Sequence, residues 1–124
     1  MANSLRISAA EWEVMNVVWE HPPVAAAQIV EQLARRRDWT SRTIRTLIAR
    51  LVGKRALRSK VDGRRYLYWP AVDREHCIRR ESQSLADRVF GGAPASLVLH
   101  LVRQTKLSPD DIRELKRILE EKEP

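Results

Sequence analysis

One stretch, TSRTIRTLIARLVGKR from Thr40 to Arg55, restricts the possible folds of this chain more than any other. Ile44, Leu47, Ile48 and Leu51 recur at i, i+3, i+4 and i+7, the spacing of a helix with one apolar stripe to bury. Arg42, Thr46, Ala49 and Gly53 then fall on the opposite side, flanked by Thr43, Arg45 and Arg50. Thr40 or Ser41 can cap this helix by accepting a bond from its unpaired first amides. The outer face mixes arginine with threonine, holds no acid and keeps small residues between them. Forked guanidinium donors suit guanine edges and phosphates, while hydroxyls and methyls suit thymine, so this face has what a major groove asks for. A plain basic surface helix would show the same charge, and the neighbouring segments must decide between the two.

The charge distribution bears on that choice. The net charge of +7 lies entirely in residues 1–70, where 13 Lys/Arg face 6 Asp/Glu; residues 71–124 hold 10 of each. Arg35 to Arg65 alone contains 12 basic residues against Asp38 and Asp62. A charge run is ordinarily a solvated face, but clustering this one-sided around a capped amphipathic helix points to a polyanionic partner.

The flanking segments supply a scaffold. Ser8-Ala9-Ala10-Glu11 has capping-box spacing, and Trp12, Met15, Val18 and Trp19, with Val14, make an apolar stripe that His21-Pro22-Pro23 ends. Val24 to Arg36 reads as a second helix with Ile29, Val30 and Leu33 inward. Asp38-Trp39-Thr40 is a short turn, so a tight helix-turn-helix with a basic second helix is expected. Beyond Gly53 the period changes to two short strand-like runs, Leu57 to Val61 and Arg65 to Trp69, around Asp62-Gly63. That dipeptide is a hairpin signal in which both turn positions are expected at φ > 0. Three helices followed by a basic hairpin make a winged helix, with Lys60, Arg64 and Arg65 placed for the sugar-phosphate backbone. A purely structural cap is the alternative for the hairpin.

Pro70 ends the wing and the charge excess together, which sets the expected boundary: a DNA-binding domain over 1–70 and a helical region over 71–124. Asp73 can cap a helix running to about Phe90, with Ile78, Leu85 and Val89 along it, and Gly91-Gly92 closes it. Ser96 to Arg103 is a short helix, apolar nearly all round at Leu97, Val98, Leu99, Leu101 and Val102. Ser108-Pro109-Asp110-Asp111 then starts a last helix with Ile112, Leu115, Ile118 and Leu119 as its stripe. About fifty residues enclose no independent core of this kind. A second copy of the chain is the simplest cover, so the fold expected is mainly α: a winged helix-turn-helix followed by a three-helix dimerisation region.

Other function classes find no support. No apolar run approaches the roughly 20 residues of a membrane helix, and MANSLRIS lacks a signal-peptide apolar region, so a cytoplasmic protein is expected. Cys77 is the sole cysteine and reads as a packed thiol. His21, His76 and His100 are scattered, adjacent His76 and Cys77 diverge on a helix, and no nucleophile has a matching base. We therefore expect no enzyme, no metal, no cofactor and no small-molecule substrate. Three readings remain open: a sequence-specific repressor, a non-specific architectural DNA binder, and a helix-turn-helix regulator that binds an effector.

The residues ISAAEWEVMNVVW (Ile7 to Trp19), SRTIRTLIARL (Ser41 to Leu51), RRYLYWP (Arg64 to Pro70) and FGGAPASLVLHLV (Phe90 to Val102) together resemble the penicillinase-repressor family of winged-helix regulators, the BlaI/MecI type with the CopY type as a relative. The resemblance spans nearly the whole chain. It implies a homodimeric repressor on a TACA/TGTA-type inverted repeat, linked to antibiotic resistance. It also implies Arg42, Thr43, Arg45, Thr46 and Arg50 as contacts of the recognition helix, beginning at Thr40 and Ser41, with the basic wing beside them. A membrane sensor-metalloprotease is the implied partner for derepression, cutting in the dimerisation region after a β-lactam or cell-wall signal. Where some members carry Asn-Phe at that point, this chain carries His100-Leu101. The CopY type has a cysteine-rich metal tail, whereas this chain ends Leu-Glu-Glu-Lys-Glu-Pro, which argues against direct copper sensing.

Overall fold

A computed structural model describes residues 5–124. Helix α1 (Ala9–Glu20) starts on the expected capping box: the Ser8 hydroxyl accepts from the Glu11 amide at 3.1 Å and the Glu11 carboxylate accepts from the Ser8 amide at 2.8 Å. Strand β1 (Val24–Ala25), helix α2 (Ala26–Arg36), helix α3 (Ser41–Gly53) and strands β2 (Leu57–Asp62) and β3 (Arg65–Pro70) follow. The remainder is helical: α4 (Arg74–Val89), α5 (Pro94–Gln104) and α6 (Pro109–Lys122).

The three strands form one antiparallel sheet in the order β1-β3-β2. This corrects the expected start of α2 at Val24. Val24 pairs with Tyr68 and Ala25 with Leu67, and the helix begins only at Ala26. A two-residue strand has no periodicity of its own; its partner strand defines it. The Gln28 side chain accepts from the Ala25 amide at 2.8 Å and satisfies one of the first free donors of α2.

The hairpin turn also differs from expectation. Asp62 pairs with Arg65, so the two central turn residues are Gly63 and Arg64. Among the described residues of the turn only Gly63, at φ 67°, has positive φ. Glycine at the first central position is the requirement of a type II′ turn, whose twist matches the flanking strands.

The core of the winged part is sealed. Val14, Met15, Val18, Ile29, Leu33, Ile44 and Leu51 are fully buried, joined by Val17, Val24, Leu47, Ile48, Ala56 and Leu57. The apolar stripe of α3 is thus spent on α1, α2 and the sheet, and truncating Leu51 to alanine would cost about 2–5 kcal/mol. Trp12 and Trp19 are half-buried, their rings meeting at a tilt of 54° with centroids 5.6 Å apart, while Val17 takes a core position the stripe reading had omitted.

Helix α3 ends in a Schellman arrangement. The Ala56 amide donates to the Leu51 carbonyl at 2.9 Å and the Arg55 amide to the Val52 carbonyl at 3.0 Å, with Arg55 at φ 66°. This turn directs the chain into β2 with Ala56 fully buried.

The chain divides into two compact units, Met1–Cys77 and Ile78–Pro124. Residues past the wing stay with the first: the Trp19 indole donates to the Val72 carbonyl at 3.1 Å, and Val72 packs on the core. Asp73 caps α4 through the His76 amide at 3.0 Å, and Cys77 is buried.

In the second unit, Gly91 and Gly92 adopt φ 60° and 84° just past α4, as a helix terminus built on glycine requires. Helix α5 starts at Pro94, two residues ahead of the expected Ser96, because proline at the first helical position needs no hydrogen-bonded amide. Phe90 and His100 stack at 5.8 Å. Helix α6 carries a capping box between Ser108 and Asp111, and Arg117 bridges Glu114 and Glu121 along its exposed side.

Candidate nucleic-acid interface

Burying Ile44, Leu47, Ile48 and Leu51 forces the rest of α3 outward. Thr40, Ser41, Arg42, Thr43, Arg45, Thr46 and Arg50 are all exposed, on the side away from the core. The expected contact residues of the helix therefore share one surface.

Their hydrogen bonds sort the residues by role. Thr40 is the N-cap: its hydroxyl accepts from the Thr43 amide at 3.1 Å and donates to the Thr43 hydroxyl at 3.1 Å. Ser41 is left for Arg45, whose Nε donates to the Ser41 hydroxyl at 3.2 Å. That bond leaves the two terminal nitrogens of Arg45 as an outward fork, the geometry that pairs with the O6 and N7 of a guanine. Thr46 donates its hydroxyl back to the Arg42 carbonyl at 2.9 Å. Its methyl and both acceptor lone pairs remain for the groove.

Ion pairing concentrates the unneutralised charge further. Of the twelve cations between Arg35 and Arg65, four meet a carboxylate: Arg35 with Glu31, Arg37 with Glu13, Lys54 with Glu11 and Arg65 with Asp62. Among the described residues no ion pair engages Arg42, Arg45, Arg50, Arg58, Lys60 or Arg64. Nor does one engage Arg36 or Arg55, so six of the eight cations without an ion pair lie on the outer face of α3 and on the wing. Arg65, expected as a wing contact, shares its guanidinium with Asp62 at 3.4 Å.

The far end of α3 is held by a contact that sequence spacing did not announce. Lys54 Nζ donates to Glu11 Oε1 at 2.5 Å and to the Arg6 carbonyl at 2.6 Å. Glu11 is only 2% exposed, the one buried charged residue among those described. Burial alone would raise its carboxyl, but Lys54 together with the Ser8 amide and hydroxyl outweighs burial and holds the carboxyl below its usual range. The Ala10-Glu11-Trp12 triplet that carries the resemblance is thereby tied to the end of the reading helix. Similarly, Arg37 reaches Glu13 at 2.6 Å and fastens the end of α2 to α1.

On the wing, Tyr68 is half-buried. Burial raises its phenol, neighbouring Tyr66 raises it further, and Arg45 opposes both, so the base of the wing and the reading face of α3 are electrostatic neighbours.

In the second unit, the residues expected at a dimer contact are mostly uncovered. Val89, Val98, Leu101, Val102, Ile112 and Leu119 are 41–61% exposed. Ile78, Leu85 and Leu115 are half-buried, and Leu97 is buried within the chain itself. Leu99 and Ile118, part of the same expected apolar faces, are exposed as well. His100 and Leu101 lie exposed in the middle of α5.

The penicillinase repressor profile matches residues 7–121. The chain is 40% identical over 116 residues to the methicillin resistance regulatory protein MecI of Mammaliicoccus sciuri, covering 94% of each. It is 36% identical over 116 residues to the penicillinase repressor of Bacillus licheniformis, covering 94% of this chain and 91% of that one. Among solved structures, the monomeric form of Bacillus licheniformis BlaI in complex with the blaP half-operator matches with a TM-score of 0.52 at 35% identity, over 57% of this chain and 87% of that one. With its winged helix and its acid-free reading helix, the chain belongs to the penicillinase repressor family.

Proposed function

We propose that this protein is a cytoplasmic, homodimeric transcriptional repressor that reads an inverted-repeat operator of the TACA/TGTA type through α3 and the wing. The observation that carries the reading is the outer face of α3: Arg45 pre-set by Ser41, Thr46 with its methyl outward, and three arginines without an ion pair. Its relative from Bacillus licheniformis was solved on a half-operator, and a two-fold dimer matches two such half-sites.

Dimerisation is supported by the second unit, where α5 and α6 leave six large aliphatic side chains 39–59% exposed besides Val102. So many large aliphatic side chains left open on two short helices favour an interface. For derepression we infer cleavage near His100-Leu101 by a membrane sensor-metalloprotease, after a β-lactam or cell-wall signal. The bond lies within α5, so that helix must open locally before a protease can seat it as an extended strand.

Competition binding tests the reading. A duplex with one inverted repeat is compared with a scrambled duplex at physiological salt, where a specific site binds at least about 10³-fold tighter. Equal affinity for the two would replace the repressor with a non-specific DNA coat.

A further inference from the structure

The charged side chains of the wing ladder lie on one of its two faces. Pairing sets Val61 opposite Tyr66 and Ser59 opposite Tyr68. Strand alternation then places Leu57, Ser59, Val61, Tyr66 and Tyr68 on one face of the ladder, and Arg58, Lys60, Asp62, Arg65, Leu67 and Trp69 on the other. Leu57 is buried and Tyr68 packs on the core, so the first face is the one turned toward the helices. Toward the tip this face outruns the core. Val61 is 57% exposed and Tyr66 54% exposed, and Arg45 of α3 lies close enough to act on the neighbouring Tyr68 phenol.

We propose that Tyr66, with its cross-strand partner Val61, is a non-ionic contact to the deoxyribose-phosphate backbone of the duplex that α3 reads. The inference rests on the DNA-binding function proposed above and adds a contact of different chemistry to it. An aromatic paired with a β-branched residue stabilises a hairpin slightly, which accounts for the pair but not for its exposure among cations. Among the described residues no ion pair engages Arg58, Lys60 or Arg64, and these cations would draw a polyanion to the wing. A strand seated between the wing and α3 then meets the Tyr66 ring. The ring covers the apolar sugar edge, and the phenol hydroxyl donates to a phosphate oxygen. Because Tyr66 brings no charge, it displaces no counterion, and its share of affinity is independent of salt.

The experiment measures binding of the full chain to operator and scrambled duplexes across a salt series. Tyr66→Ala is expected to weaken both by about tenfold, the loss expected for uncovering one aromatic side chain, with the salt slope unchanged. Tyr66→Phe keeps the ring and the fold and should lose only about two- to threefold, the share of one hydrogen bond. Circular dichroism of both variants checks the winged domain. Unchanged affinity in Tyr66→Ala, a slope lower by about one phosphate, a loss confined to the operator, or Tyr66→Phe as weak as Tyr66→Ala would each overturn the assignment. If the wild-type chain fails to prefer the operator, the repressor reading falls, yet the Tyr66 contact is still read on the scrambled duplex.

Discussion

The two units of this chain handle apolar surface in opposite ways. In Met1–Cys77, α3 spends its whole stripe on a closed core, and apart from the small Ala49 and Gly53 the residues that α3 leaves exposed are polar or cationic. In Ile78–Pro124, Ala86 and Leu97 are buried while Val98, Leu101, Val102 and Leu119 stand open. A helix stripe makes a reading head when its burial is completed within the chain. Where burial is left unfinished, as on α5, the same kind of stripe is the surface we propose to pair with a second copy. The charge follows nearly the same division: Met1–Cys77 holds 14 Lys/Arg against 8 Asp/Glu, and Ile78–Pro124 holds 9 against 8.

The largest way to break this contrast is Leu101→Asp. A carboxylate in the open face of α5 should be costly to bury against a second copy, so sedimentation should report a monomer. Operator affinity should fall by roughly 10² to 10⁴, the advantage of tethering two half-site contacts. A variant that still sediments as a dimer would place the interface elsewhere.

Next in size are Arg45→Ala and Thr46→Ala, on the side that should not affect assembly. Each should relax base preference at one operator position by about 1–3 kcal/mol while the oligomeric state stays as in wild type. Binding to a systematically varied operator reads the effect, and a uniform loss at every base would make these residues phosphate contacts.

Glu11→Gln sharpens the contrast from inside the first unit. Removing the charge from the Lys54 contact should cost about 1–2 kcal/mol of stability, at the low end for charged hydrogen bonds because Lys54 is partly exposed. The Glu11 carboxyl is held below its usual range when folded, so its contribution is present above that range and is lost as pH falls through the lowered value. Thermal melts of wild type should therefore weaken on acidification by more than those of Glu11→Gln. Parallel pH profiles would show that Glu11 does not carry this dependence.

Much of the molecule was legible in the order of residues, and what was not has a common cause. The α3 stripe, the Ser8 and Ser108 capping boxes and the Gly91-Gly92 stop are local, each fixed by residues within about a turn of one another. Strand β1 was not legible, because Val24 and Ala25 are a strand only by virtue of Tyr68 and Leu67 far along the chain. The Glu11–Lys54 contact was hidden for the same reason, with a capping role accounting for Glu11 on its own. For the wing, attention to Lys60, Arg64 and Arg65 passed over the alternation that turns Tyr66 and Val61 to the inner face.

The wing provides the smallest test. Arg64→Ala should weaken binding to all sequences alike and flatten the salt slope by about 0.9. Arg65→Ala should change it less, because Asp62 already neutralises part of that charge. Equal slopes for the two variants would mean that the Asp62 pair opens on DNA.

A chain ending at Leu99 tests the division of labour most directly. It keeps the whole winged domain and all of the excess positive charge. It loses Leu101, Val102 and the α6 stripe of Ile112, Leu115, Ile118 and Leu119. Measured against a single half-site and a complete inverted repeat, it should fold, sediment as a monomer, and bind the complete operator no better than two independent half-sites. Full-length affinity for the complete operator from that shortened chain would contradict the account, because the second unit would then contribute nothing to recognition.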